Sequence, residues 1–204
     1  MKKFLLLIIS IFAFSSFAFA QPKTVTDYFL AMPDSENFPY YRNEQTTTKE
    51  ELVKFRKSMI EIEDIKNGYL KLKGDWNGYG EIVLFKKTDG SYLIANSRVN
   101  CDEGCEGFLE LYSYKNGNWK DVGFDLLPKY GDIVMEYNKK RPKGTPAANV
   151  SGDDTIGLEF VYHLPRVGRS IKISCNSCLP AQKTPEKEFY FAEFEWNGAK
   201  FIKK

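Results

Sequence analysis

One histidine, His163, serves all 204 residues, and no Gly-x-Ser-x-Gly or comparable frame surrounds a nucleophile. General-base use of a histidine needs an oriented nucleophile within hydrogen-bond reach, so the common serine and cysteine hydrolase classes are not favoured. Excess charge is missing too. Lys2 and Lys3 lie in a leader described below; without them 27 basic residues face 27 acidic ones. A neutral chain has no net field to steer it to nucleic acid, and attraction to an anionic membrane would need a local patch. After Ala20 no apolar run reaches the roughly 20 residues that a spanning helix requires, so no membrane span is expected in the mature chain.

What is present begins with an address. Met1-Lys2-Lys3 is a short positive start, Phe4 to Phe14 is apolar apart from Ser10, and Ala18-Phe19-Ala20 is the small-x-small pattern of a signal peptidase site. The expectation is a signal peptide over 1–20, cleaved between Ala20 and Gln21, and a protein that is periplasmic or secreted. No cysteine stands near the cut to carry a lipid.

Turn chemistry dominates the rest. Asn-Gly occurs at Asn67-Gly68, Asn116-Gly117 and Asn197-Gly198, with Asp89-Gly90 as a relative, each between apolar or aromatic segments. Residues that accept positive φ mark tight hairpins. The expected arms are Ile60–Asp64 with Tyr69–Leu72, Glu81–Lys87 with Ser91–Arg98, Phe108–Tyr114 with Trp119–Val122, and Phe189–Trp196 with Lys200–Ile202. A fifth pair, Gly157–Leu164 with Ser170–Cys175, is joined through Pro165-Arg166-Val167-Gly168. Alternation puts Leu158, Phe160, Tyr162 and Leu164 on a packed face and Glu159, Val161 and His163 on the other, making His163 a surface or edge residue. Helix is expected only at the front: a short one capped by Thr26-Asp27 and ended by Pro33, and one over about Lys49 to Ser58 opened by the capping box Thr48 and Glu51.

The fold class read from this is mainly β (α+β), with antiparallel hairpins in two related β units and one or two short N-terminal helices. The divisions are 1–20 signal peptide, 21–59 helical or extended segment, 60–130 first β unit, 131–154 linker or long loop, and 155–204 second β unit. In both units a long hairpin, cysteines, a strand and an Asn-Gly turn follow one another in order. Duplication would produce this, and so would the common turn geometry of any meander.

Four cysteines in an exported chain read most simply as disulfides. Local pairs, Cys101 with Cys105 and Cys175 with Cys178, are favoured over cross-unit pairing. A four-cysteine zinc site has loosely acceptable spacing, but oxidation competes with it, so no metal and no cofactor is expected. Cys175-Asn-Ser-Cys178 follows a strand instead of opening a helix, against a redox role.

Carboxylates cluster at Glu61, Glu63 and Asp64, at Asp102 and Glu103, and at Asp153-Asp154. Such acids could serve a glycosidase or hold calcium, although Asp153-Asp154 lacks the Asp-x-Asp-x-Asp-Gly rhythm of a calcium loop. The one place that suggests recognition is Leu164-Pro165-Arg166-Val167-Gly168-Arg169, where Arg166 and Arg169 flank a turn with planar donors suited to carboxylate or phosphate. The plainer alternative is that they solvate a hairpin tip.

Asp27-Tyr-Phe-Leu-Ala-Met-Pro33, Asp64-Ile-Lys-Asn-Gly-Tyr-Leu70, Leu84-Phe-Lys-Lys-Thr-Asp-Gly-Ser-Tyr-Leu93, Tyr114-Lys-Asn-Gly-Asn-Trp119, Leu164-Pro-Arg-Val-Gly168 and Trp196-Asn-Gly-Ala-Lys-Phe201 together resemble a group of uncharacterised secreted bacterial proteins. The resemblance covers nearly the whole mature chain and implies a shared fold; its motifs are turns and strands, with no catalytic residue to transfer. The leading functional expectation is a binding or inhibitory module that meets an extracytoplasmic protein or glycan. The alternatives are an envelope-associated structural protein and a carboxylate-based hydrolase of wall sugars.

Overall fold

The computed structural model describes residues 22–33, 48–73, 78–101, 106–145, 147–148, 160–175 and 189–204. Two helices open the described chain, α1 (Val25–Ala31) and α2 (Lys49–Met59). Six strands follow as β1 (Ile60–Asp64), β2 (Tyr69–Lys73), β3 (Gly78–Lys86), β4 (Tyr92–Asn100), β5 (Glu106–Lys115) and β6 (Asn118–Asp121). A helical turn α3 (Gly123–Leu126) and helix α4 (Tyr130–Lys140) precede β7 (Phe160–His163), β8 (Ser170–Cys175), β9 (Tyr190–Trp196) and β10 (Phe201–Lys203). All pairing is antiparallel: β1 to β6 form one meander and β10-β9-β8-β7 a second sheet.

All five expected hairpins form over the described residues, because their turns are locally encoded; Gly157, Leu158 and Glu159 of the fifth lie outside the described residues. At Asn116-Gly117 both residues take positive φ, 53° and 85°, as a two-residue turn requires. Asn67-Gly68 works differently. Ile65–Asn67 is a 3₁₀ turn capped by the Asp64 carboxylate, and Gly68 alone is left-handed.

The six-stranded sheet is a middle layer. Leu93, Ala95, Val83 and Phe85 face the second sheet and α4, while Ile82, Ile94, Leu70 and Leu72 face α1. Covered on both sides, β3 and β4 are buried along nearly their whole length, the polar Glu81, Asn96 and Ser97 included. Both sheets contribute to one core, in which Phe85 and Leu111 join Phe160, Phe191, Trp196 and Phe201.

The front helices are set by capping. Thr48 and Glu51 form the expected box. For α1 the cap is Thr24, with Asp27 returning the bond, and not Thr26. Arg56, wholly buried on α2, donates to the carbonyls of Phe29, Leu30, Met32 and Pro33 and so covers the end of α1, whose last turn has no basic residue.

Helix is not confined to the front. The segment 131–154, expected as linker, begins with most of α4, whose Ile133, Val134 and Tyr137 are buried against the core. The helix has no side-chain N-cap, and its flanking Pro128 and Pro142 are as natural in a loop. Only the face presented to β9 distinguishes it.

Val161, expected opposite the packed face with His163, does not face solvent. It is buried, as is Phe160 beside it, because β7 lies across the larger sheet. A Cβ on Gly107 would come within 2.7 Å of the Phe160 carbonyl oxygen and 2.9 Å of the Val161 Cα. Glycine permits that approach of main chain to main chain. The contact also covers the β7 edge: Ser97 Oγ donates to the Tyr162 carbonyl at 2.6 Å, and the Leu164 N–H donates to Glu81 Oε2 at 2.9 Å. Side chains of one sheet satisfy backbone groups of the other and block edge pairing.

Candidate functional site

Two turns from different sheets meet at one end of the molecule. Asp64 closes β1, and its Oδ1 accepts from the Asn67 N–H at 3.3 Å while Oδ2 accepts from Asn67 Nδ2 at 3.0 Å. The same Oδ2 accepts from Arg166 Nε at 2.9 Å. The bond to Asn67, then the Arg166 guanidinium, holds the Asp64 carboxyl below its ordinary pKa. Opposite, Pro165 and Gly168, the latter at φ 103°, shape the β7–β8 tip, and the Arg169 carbonyl accepts from the Trp196 N–H at 2.9 Å.

The clasp leaves aliphatic side chains outward. Val167 is 75% exposed and Ile65 55%; each directly follows one partner of the ion pair. The two arginines singled out in the sequence thus separate in role. Arg166 is spent on Asp64, whereas Arg169 is exposed and its side chain forms no ion pair among the described residues. Ile65 was not singled out, because nothing within its own segment indicates which turn it will stand beside.

The acidic segment of β1 is used structurally. Glu61 pairs with Lys71 at 3.2 Å, and Glu63 accepts from the Thr26 hydroxyl of α1. Asp102, Glu103, Asp153 and Asp154 lie outside the described residues, as do Ala18, Ala20 and Gln21.

Cys101 and Cys175 are not free thiols; both are disulfide-bonded. Their sulphurs are therefore not thiolate ligands for zinc. Cys105 and Cys178 lie outside the described residues, and the local pairing remains a proposal. Cys175 is wholly buried beside Phe160, its partner in the β7–β8 ladder.

His163 does meet a hydroxyl. Its Nε2 lies 2.7 Å from Ser174 Oγ, and its ring stacks edge-on against Tyr190 at 5.1 Å. The hairpin register carries this signal, since His163 pairs with Lys172 and is diagonal to Ser174 on the same face. A histidine and a serine at this distance have the separation of a base and nucleophile. Ser174 is fully buried between Ile173 and Cys175, however, so its hydroxyl is not offered to a substrate and the pair acts as a cross-strand pin.

Glu136 on α4 is the other notable carboxylate. It is buried, and Lys203 Nζ at 2.6 Å and Lys139 Nζ at 3.0 Å both donate to its Oε1. The Lys203 bond, then that of Lys139, lowers its pKa.

No protein-family model matches the chain, and no curated protein matches it. Its architecture is similar to a domain of an uncharacterized protein from Porphyromonas gingivalis W83, with a TM-score of 0.52, 13% sequence identity, and coverage of 88% of this chain and 97% of that one. At that identity the likeness is one of fold alone.

Proposed function

We propose that this is an exported binding or inhibitory module that recognises an extracytoplasmic protein through the clasped turns at 65–68 and 165–169. The observation that carries the reading is Val167 and Ile65 projecting beside the Asp64–Arg166 ion pair. Side chains held in place before binding lose less entropy when they dock, so a braced tip binds more tightly than a loose one. Aliphatic contacts flanked by the Arg169 guanidinium suit a protein better than a glycan, whose rings stack on aromatic faces. Export rests on the leader over 1–20 and agrees with disulfides, which persist in oxidising compartments.

The hydrolase alternative needs a carboxyl kept protonated to donate to a leaving group. The described carboxylates with shifted pKa values, Asp27, Asp64, Asp89, Glu136 and Glu193, are all lowered. Such groups suit capping and ion pairing.

Affinity capture from envelope extract and culture medium, with mass spectrometry, tests the proposal. The wild-type mature protein should retain a specific protein, and V167D with R169A should lose it while melting at nearly the same temperature. Identical capture by wild type and double variant would overturn the reading.

A further inference from the structure

The helical segment α3–α4 does not seal the sheet beneath it. Between Leu127-Pro128 and the inner face of β8–β10 lies an apolar slot of about 190 Å³, walled by Leu109, Ile133, Tyr162, Ile173, Phe194 and Phe201. Leu127, Pro128, Phe194 and Phe201 also line a neighbouring, wider cleft of about 420 Å³ whose rim is charged. Protein interiors rarely leave voids much larger than a water. An apolar recess with a few polar groups at its mouth is the usual form of a small-molecule site.

The rim indicates which head group would fit. Lys139, Lys200 and Lys203 line it together with Asp125, Asp132 and Glu136. Glu136 is buried and already bound by Lys139 and Lys203, whose side chains stay 67% and 51% exposed. Two ammonium groups share one carboxylate, and Lys200 adds a third positive charge. Asp125 and Asp132 stand in the first turns of α3 and α4, and the N-terminal end of α4 partly offsets Asp132. The rim thus holds three lysines and three carboxylates, and Lys200 is the one of its lysines that forms no ion pair among the described residues.

We infer that this cleft is a binding site for a small amphiphile, with a short acyl chain or single ring in the slot and an anionic head on Lys200 and Lys203. The inference stands apart from the protein-binding tip, which uses neither the slot nor these lysines.

Octanoate and octanol titrated into the mature protein distinguish the two components. Calorimetry should show saturable one-to-one octanoate binding, and methyl NMR shifts should concentrate at Ile133, Ile171 and Ile173. The exposed pair K200Q/K203Q should weaken octanoate about tenfold, on the scale expected for two partly exposed ion pairs, and leave octanol unchanged. Absence of saturable octanoate binding would overturn the inference. So would methyl shifts centred elsewhere, or equal losses for acid and alcohol in the lysine variant.

Discussion

Arg166, at the tip of the β7–β8 hairpin, donates from Nε to Asp64 Oδ2 at the end of β1, 2.9 Å away in space and 102 residues away in sequence. The same carboxylate caps the 3₁₀ turn through Asn67. One side chain thus orders its own turn and holds the tip of another sheet. D64A should lower the melting temperature more than R166A, since only the first removes the two bonds to Asn67 together with the one to Arg166. Calorimetric melts of both variants and their combination measure this. Equal losses would mean that the turn cap contributes nothing.

At the crossing of the two sheets, G107A should be costly although it adds one methyl group. The new Cβ would meet main chain of Phe160 and Val161, which cannot step aside as the end of a flexible side chain can. Overpacking of this kind costs about 1–3 kcal/mol. Urea unfolding should show that loss with an unchanged denaturant slope.

Arg56 is the sole described basic side chain covering the end of α1. R56M keeps the apolar stem and strands the carbonyls. Leaving a buried acceptor unsatisfied costs about 1–3 kcal/mol, so R56M should destabilise by at least that range. Hydrogen exchange should rise first in α1. A loss confined to β7–β10 would contradict this placement.

Acid should weaken the fold through a defined window. Glu136 has a lowered pKa in the folded state, chiefly through Lys203 and then Lys139. A carboxylate lowered on folding contributes stability that is full above its unfolded pKa, about 4.3, and is lost as pH falls through the folded value. The melting temperature should therefore hold from pH 7 to about pH 5 and decline below it. E136Q should melt lower at pH 7 and show a shallower decline in acid. A wild-type profile that improves below pH 4 would refute the assignment.

Non-reducing peptide mapping of the exported protein should join Cys101 to Cys105 and Cys175 to Cys178, with Gln21 at the N-terminus. Cross-unit peptides would replace the local pairing. An N-terminus at Met1 would remove the argument for export.

The five hairpins were legible in the sequence because positive φ is demanded and supplied within two or three residues, as at Asn116-Gly117. The Thr48–Glu51 box was legible for the same reason of range. Helix α4 was not, since it lacks a side-chain cap and is defined by Ile133, Val134 and Tyr137 meeting β9. Val161 looked solvent-facing by alternation. It became buried once Gly107 admitted the β7 main chain.

The candidate sites divide in the same way. The sequence by itself determined that Arg166 and Arg169 would flank a turn, because Pro165 and Gly168 impose one locally. Only the tertiary structure decided that Arg166 would be neutralised by Asp64, that Ile65 would share the clasped end with Val167, and that α4 would leave a slot over Phe194 and Phe201. Turn preference is a property of a few consecutive residues. Exposure, ion pairing and cavity shape are properties of surfaces, and those surfaces exist only after distant segments have packed.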